Sequence, residues 1–107
     1  MERPPEVPPA VIAVVLSDRD LDAYVAGTRA EIRYLRGALR TTQEVGRAEL
    51  DSVGARAAGM PVERFRDVTQ GVETALKQHT TLARRPQLDS LRIELMVLQV
   101  RVEGQHE

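Results

Sequence analysis

Three features of the sequence predict an all-α fold. Apolar residues recur at three- and four-residue steps over most of the chain, Pro61 and Pro86 fall where such stripes break, and the one short β-branched run, Ala10 to Leu16, has no apparent partner strand. The expected architecture is a long helical hairpin plus a third, strongly apolar helix, forming a small bundle completed by dimerisation. Residues 1–16 form a Pro-rich extended arm and 17–107 the helical domain, with helices over about 17–58, 61–83 and 87–103.

Residues 1–9 hold four of the six prolines and read as a polyproline-like arm. Ala10 to Leu16 is apolar and β-branched. It reads as a strand or as an extended segment laid in a groove, and the second reading is preferred because no partner strand is apparent. A helix start follows: Ser17-x-x-Asp20 is a variant capping box, and Asp18 and Asp20 suit the positive end of a helix dipole.

Leu21, Val25, Thr28, Ile32, Leu35 and Leu39 make one face of the first helix, continued by Thr42 and Gly46 and then loosely by Val45, Leu50 and Val53. Gly27, Gly37, Gly46 and Gly54 each cost about 1 kcal/mol relative to Ala in a helix interior. A bend near residues 41–47 is expected. Gly59-Met60-Pro61 ends the segment. Phe65, Val68, Val72, Ala75 or Leu76, His79 and Leu82 line the second helix, which Arg84-Arg85-Pro86 breaks.

In the last segment Leu88, Leu91, Leu95, Leu98 and Val102 form a heptad seam. Leu91, Ile93, Leu95 and Val97 also alternate as a strand would, but the length and Asp89 near the start favour helix. With Ile93, Met96, Val97 and Val100 the segment is apolar almost all round, and such a helix must be buried. Two amphipathic helices with three aromatic residues give it little cover, so a homodimer is expected. Leu88, Leu91, Leu95, Leu98 and Val102 are its expected interface.

Composition excludes several classes of function. The chain has no Cys, so disulfides and cysteine-ligated metals are absent. Fifteen basic and sixteen acidic residues give a net charge of −1, and with no Trp, one Phe and two Tyr a base-stacking platform is disfavoured. The basic set is fourteen Arg and one Lys, and no Asn occurs; both fit a GC-rich coding sequence and carry little chemistry. The longest apolar run is seven residues, too short to span a bilayer. The region before it has no net positive charge, so a cytoplasmic location is expected, or a periplasmic or secreted one if Met1 replaces a removed leader.

No catalytic, cofactor or metal site is expected. Asp18-Arg19-Asp20-Leu21-Asp22 mimics a calcium loop, but Ala23 and Arg29 stand where Gly and a bidentate Glu are needed. Glu103-x-x-His106 is a single copy of a di-metal motif that needs two. His79 reads as a packed histidine, and Ser17, Ser52 and Ser90 lack a nucleophile elbow.

The sharpest polar pattern is Arg29, Arg33, Arg36, Arg40 and, one heptad on, Arg47, about 100° from the apolar stripe. It reads as a solvated flank pairing with acids such as Glu63 and Asp67, or as an anion or partner contact.

Leu16-Ser17-Asp18-x-x-Leu21-x-x-Tyr24-Val25-Ala26, then a long charged helix, then Ala58-Gly59-Met60-Pro61-Val62-Glu63-Arg64-Phe65-Arg66-Asp67-Val68 resembles an uncharacterised bacterial helical-hairpin domain family, over about residues 16–76. The resemblance implies a helical hairpin and no particular activity. Members carry an export signal that has no counterpart in this sequence.

The expected function is therefore a non-enzymatic module that self-associates through its apolar helices, with a protein partner for the Pro-rich arm or third helix as a further expectation. The alternative is a regulatory or DNA-associated protein using the Arg row, and a third reading is an enzyme or small-ligand binder with a bundle pocket near His79 and Phe65.

Overall fold

The computed structural model describes residues 16–78 and 82–105, and among them are four helices and no strand. These are α1 (Asp18–Thr41), α2 (Arg47–Ala58), α3 (Val62–Lys77) and α4 (Arg85–Gly104). The all-α expectation holds. The proline arm, residues 10–15 of the apolar segment, His79 and His106 lie outside the described residues.

α1 begins as its sequence predicts. The Asp20 backbone N–H donates to Ser17 Oγ at 3.1 Å, and the Ser17 N–H donates to Asp20 Oδ2 at 3.1 Å. Asp20 is buried, and its other oxygen accepts from Arg64 Nη2 on α3 at 2.9 Å. The one carboxylate thus closes the cap of α1 by accepting from the Ser17 N–H and ties α3 to it through Arg64.

The single helix expected over 17–58 is in fact two. α1 stops at Thr42, which adopts the left-handed conformation at φ 54°, and the Gln43 N–H closes the turn on Ala38 O at 3.0 Å. A β-branched residue is strained there and needs compensation. The compensation is burial: the chain folds back so that Leu50 packs with Ile32, Leu35 and Ala38. In an unbroken helix Leu50 would lie roughly 18 Å beyond Ala38 along the axis, far from any core. Gly46, expected on the apolar stripe, is instead the exposed N-cap of α2, and Thr42 is exposed as well.

α2 returns antiparallel along α1, and the two backbones approach closely at Gly27 and Gly54. A Cβ on Gly27 would collide with the Phe65 ring and lie 2.8 Å from Gly54 O. A Cβ on Gly54 would lie 2.5 Å from the same ring and 2.6 Å from Glu31 Oε1. The chain's single Phe is therefore wedged between two helices that only glycine allows so near.

α3 packs across the first half of α1, where Val68 and Val72 join Leu21, Tyr24, Val25 and Leu88 in one core cluster. It ends at Lys77 instead of residue 83. The two arginines expected only to break the chain fasten it. Arg85 donates to the carbonyls of Ala75 (3.2 Å), Leu76 (2.7 Å) and Gln78 (3.1 Å), satisfying the end of α3. Arg84, left-handed at φ 61°, reaches Asp22 at 2.7 Å on α1.

α4 is helical over the segment with ambiguous periodicity and runs parallel to α1. Leu88 sits in the first cluster, Leu98 and Val102 in the second, and Leu91 touches both. The heptad seam Leu88, Leu91, Leu95, Leu98 and Val102 is thus turned toward the chain's own core. Within the single chain α4 is buried on one face only, and its opposite face lies open. One helix can show only about half its circumference to a neighbour packed on one side of it.

Gly27→Ala and Gly54→Ala are each expected to destabilise the fold by about 1–3 kcal/mol through overpacking. Gly37, also in α1, has open space around its Cβ position, and Gly37→Ala is expected to stabilise by about 0.4–1 kcal/mol. Urea denaturation of the three variants separates these outcomes; equal effects at all three positions would contradict the close crossing.

Candidate functional site

The outer face of α4 is the first candidate. Ile93, Met96, Val97 and Val100 are 49%, 50%, 46% and 67% exposed, and their spacing of 3, 1 and 3 puts them on one side of the helix. Single exposed apolar residues are ordinary, whereas four contiguous ones make a patch worth testing as a contact surface. At 100° per residue Arg92 and Glu103 flank one edge, and Glu94 and Arg101 the other. Arg92 is held by Asp89 at 3.5 Å and reaches Met96 Sδ at 3.4 Å, while Glu94 pairs with Arg36 of α1. Both edges are mixed in charge, and this face, not the inward seam, is the apolar one that α4 leaves exposed.

The arginine row is divided by the helix break. Arg29, Arg33, Arg36 and Arg40 are exposed on α1, whereas Arg47 opens α2. Arg36 pairs with Glu94, not with Glu63 or Asp67 of α3. The row on α1 is therefore four residues long, with one member engaged among the described residues. The acids at the start of α1 are structural: Asp20 serves the capping box and Arg64, and Asp22 serves Arg84. No group of three metal-ligating side chains occurs among the described residues. Phe65, named with His79 for a ligand pocket, is used up in packing against Gly27 and Gly54.

A feature missed in the sequence lies on the other side of the hairpin. A cleft of about 350 Å³ opens where α2 and α3 diverge over α1. Glu31 of α1, Asp51 of α2 and Glu73 of α3 line it, with Arg47, Arg66, Thr69, Gln70, Leu95 and Gln99 around them. Arg66 Nε donates to Asp51 Oδ2 at 2.9 Å, so those two charges are matched. Glu31 is only 5% exposed, and it makes no hydrogen bond or ion pair among the described residues. Burial, with a smaller contribution from Asp51, pushes its carboxyl up to about 8. Tyr24 beneath it is pushed up to about 12, chiefly by burial.

The sequence did contain a signal for Glu31. Tyr24, Thr28, Glu31, Leu35 and Ala38 fall at steps of 4, 3, 4 and 3, which puts an acid in the buried register. No family model, curated protein or solved structure matches the chain. The resemblance to helical-hairpin domains thus rests on its capping and turn residues alone.

Glu31 also sets a pH dependence. An unfolded glutamate ionises near 4.5, and the folded one near 8. Between those values the native state holds one more proton than the unfolded chain. Stability is therefore full below the lower value and falls as pH rises, by at most about 1.4 kcal/mol per unit, until the loss is complete above the upper one. Glu31→Gln is expected to match the parent near pH 5 and to exceed it at pH 8 and 9. Urea midpoints measured across that range check this, and parallel curves for the two proteins would contradict it.

Proposed function

We propose that this protein is a non-enzymatic helical interaction module that pairs with a second copy of itself through the outer face of α4. The observation that carries the proposal is the exposed quartet Ile93, Met96, Val97 and Val100 on a helix whose other face fills the core. Covering such a face with apolar groups contributes about 25 cal/mol per Å² removed from water.

Charge favours a copy of the same chain as the occupant. In an antiparallel pair about a two-fold axis near Val97, Glu94 of one copy comes opposite Arg101 of the other, and Arg92 opposite Glu103. Each edge is thus complementary to itself when reversed, as a two-fold interface requires. No helix among the described residues is long and apolar enough to cross a membrane, so this face is not read as part of a span.

The expected mass by light scattering is that of a dimer over a wide concentration range. Val97→Glu buries two carboxylates at the axis and is expected to give a monomer with unchanged helicity. Leu98→Ala, on the inward face, is expected to lower stability by about 2–5 kcal/mol and leave the dimer intact as long as the chain is folded. A Val97→Glu protein that remains dimeric would overturn the assignment of this face.

A further inference from the structure

The cleft over Glu31 has a property that the contact face of α4 does not need. A hollow at the start of α1 is lined by Asp20 and Asp22, and both already have arginine partners. The cleft between the hairpin and α3 is different. Asp51 is matched by Arg66, but neither Glu31 nor Glu73 has a hydrogen bond or ion pair among the described residues. Glu31 is more than nine-tenths buried and lines the cleft, resting where Gly54 has no side chain. An unpartnered carboxyl in such a place is expensive to ionise and gains most from a cation that fits beside it.

We infer that this cleft is a binding site for a small organic cation, a primary ammonium group on a short carbon chain, with Glu31 as the carboxylate that receives it. The volume of about 350 Å³ falls at the small end of the range for small-molecule sites. Thr69, Gln70 and Gln99 offer uncharged hydrogen-bonding groups, and Leu95 an apolar wall for the carbon chain. Glu73 adds a second acceptor at the rim, while Arg47 favours a single positive end over a doubly charged molecule. Among the described residues the alternative of a bare metal ion lacks the clustered ligands it would need.

Binding is coupled to a proton. In the free protein at neutral pH the Glu31 carboxyl holds its proton, having Asp51 and Arg47 facing it from α2, Arg66 and Glu73 from α3, and no titratable group lining the cleft from α4. When an ammonium group enters, the carboxyl ionises, its proton leaves to solvent, and the N–H groups donate to the carboxylate. Affinity therefore rises with pH, by up to about tenfold per unit below the titration of Glu31.

Butylammonium chloride is the probe, titrated into the full-length protein and followed by amide chemical shifts and by calorimetry in two buffers of different ionisation heat. The inference predicts saturable one-to-one binding with shifts centred on Glu31, Gly54 and Glu73, and proton release at pH 7 that disappears above pH 9. Glu31→Gln is expected to fold, to lose the proton release and to weaken binding at least about tenfold at pH 8. Glu73→Gln is expected to weaken binding less and to keep the proton release. Absence of saturable shifts in the cleft, equal binding by Glu31→Gln, or equal binding of butanol would each overturn the inference. Because Val97 lies on the far face of α4, the same titration of Val97→Glu separates this result from the outcome of the self-association test.

Discussion

The approach of α1 and α2 at Gly27 and Gly54, with the Phe65 ring pressed on both, is the contact on which the arrangement of the other elements depends. Neither glycine can gain a Cβ without moving the ring or the opposite helix. At that separation α2 carries Leu50 into the core made by Ile32, Leu35 and Ala38, and α3 follows with Val68 and Val72 across the first half of α1. The same crossing leaves the Glu31 carboxyl lying over Gly54, excluded from water on one side and open to the cleft on the other. Packing and the unusual carboxyl are therefore two consequences of one geometric constraint.

α4 completes the fold by spanning both clusters, with Leu91 common to them. Its inward leucines and Val102 give the long hairpin a third wall. The helix is more apolar than that task requires, since Ile93, Met96, Val97 and Val100 belong to neither core cluster among the described residues. Surface residues of this kind normally carry charge, and here charge is confined to the two edges. A helix built this way stabilises its own domain with one face, and the other is the face proposed to pair with a second copy.

Much of the fold was legible in the sequence because it followed from local chemistry. The Ser17–Asp20 capping box, the turn at Gly59 with Pro61 after it, and the helical character of residues 85–104 needed only short-range reasoning. The break at Thr42 was not legible as a break. Thr42 and Gly46 continue the helical stripe in register, and only the return of Leu50 to the core, a long-range effect, makes the strained turn worthwhile. Arg47 was placed on the wrong helix for the same reason, and Arg85 was read as a breaker when it caps α3.

The two proposed surfaces show the same division. A segment apolar all round says that it will be buried on some side, but not which side its own domain will take. The heptad seam was the natural choice for a partner, and the domain used it first. Glu31 was overlooked because the stripe was traced through Val25, Thr28, Ile32, Leu35 and Leu39, and the acid lies on the flank of that stripe with Tyr24 and Ala38. Its importance comes from Gly54 and Phe65, which are distant in sequence.

The central claim is that α4 keeps Leu98 and Val102 for its own core and gives Val97 and its neighbours to a second copy. An isotope-filtered NMR spectrum of a mixture of labelled and unlabelled protein tests it directly, because only contacts between copies appear. The account predicts contacts among the methyl groups of Ile93, Met96, Val97 and Val100, and none from Leu98 or Val102. Contacts between copies arising from Leu98 and Val102 would show that the heptad seam is the interface, and the division of α4 described here would be wrong.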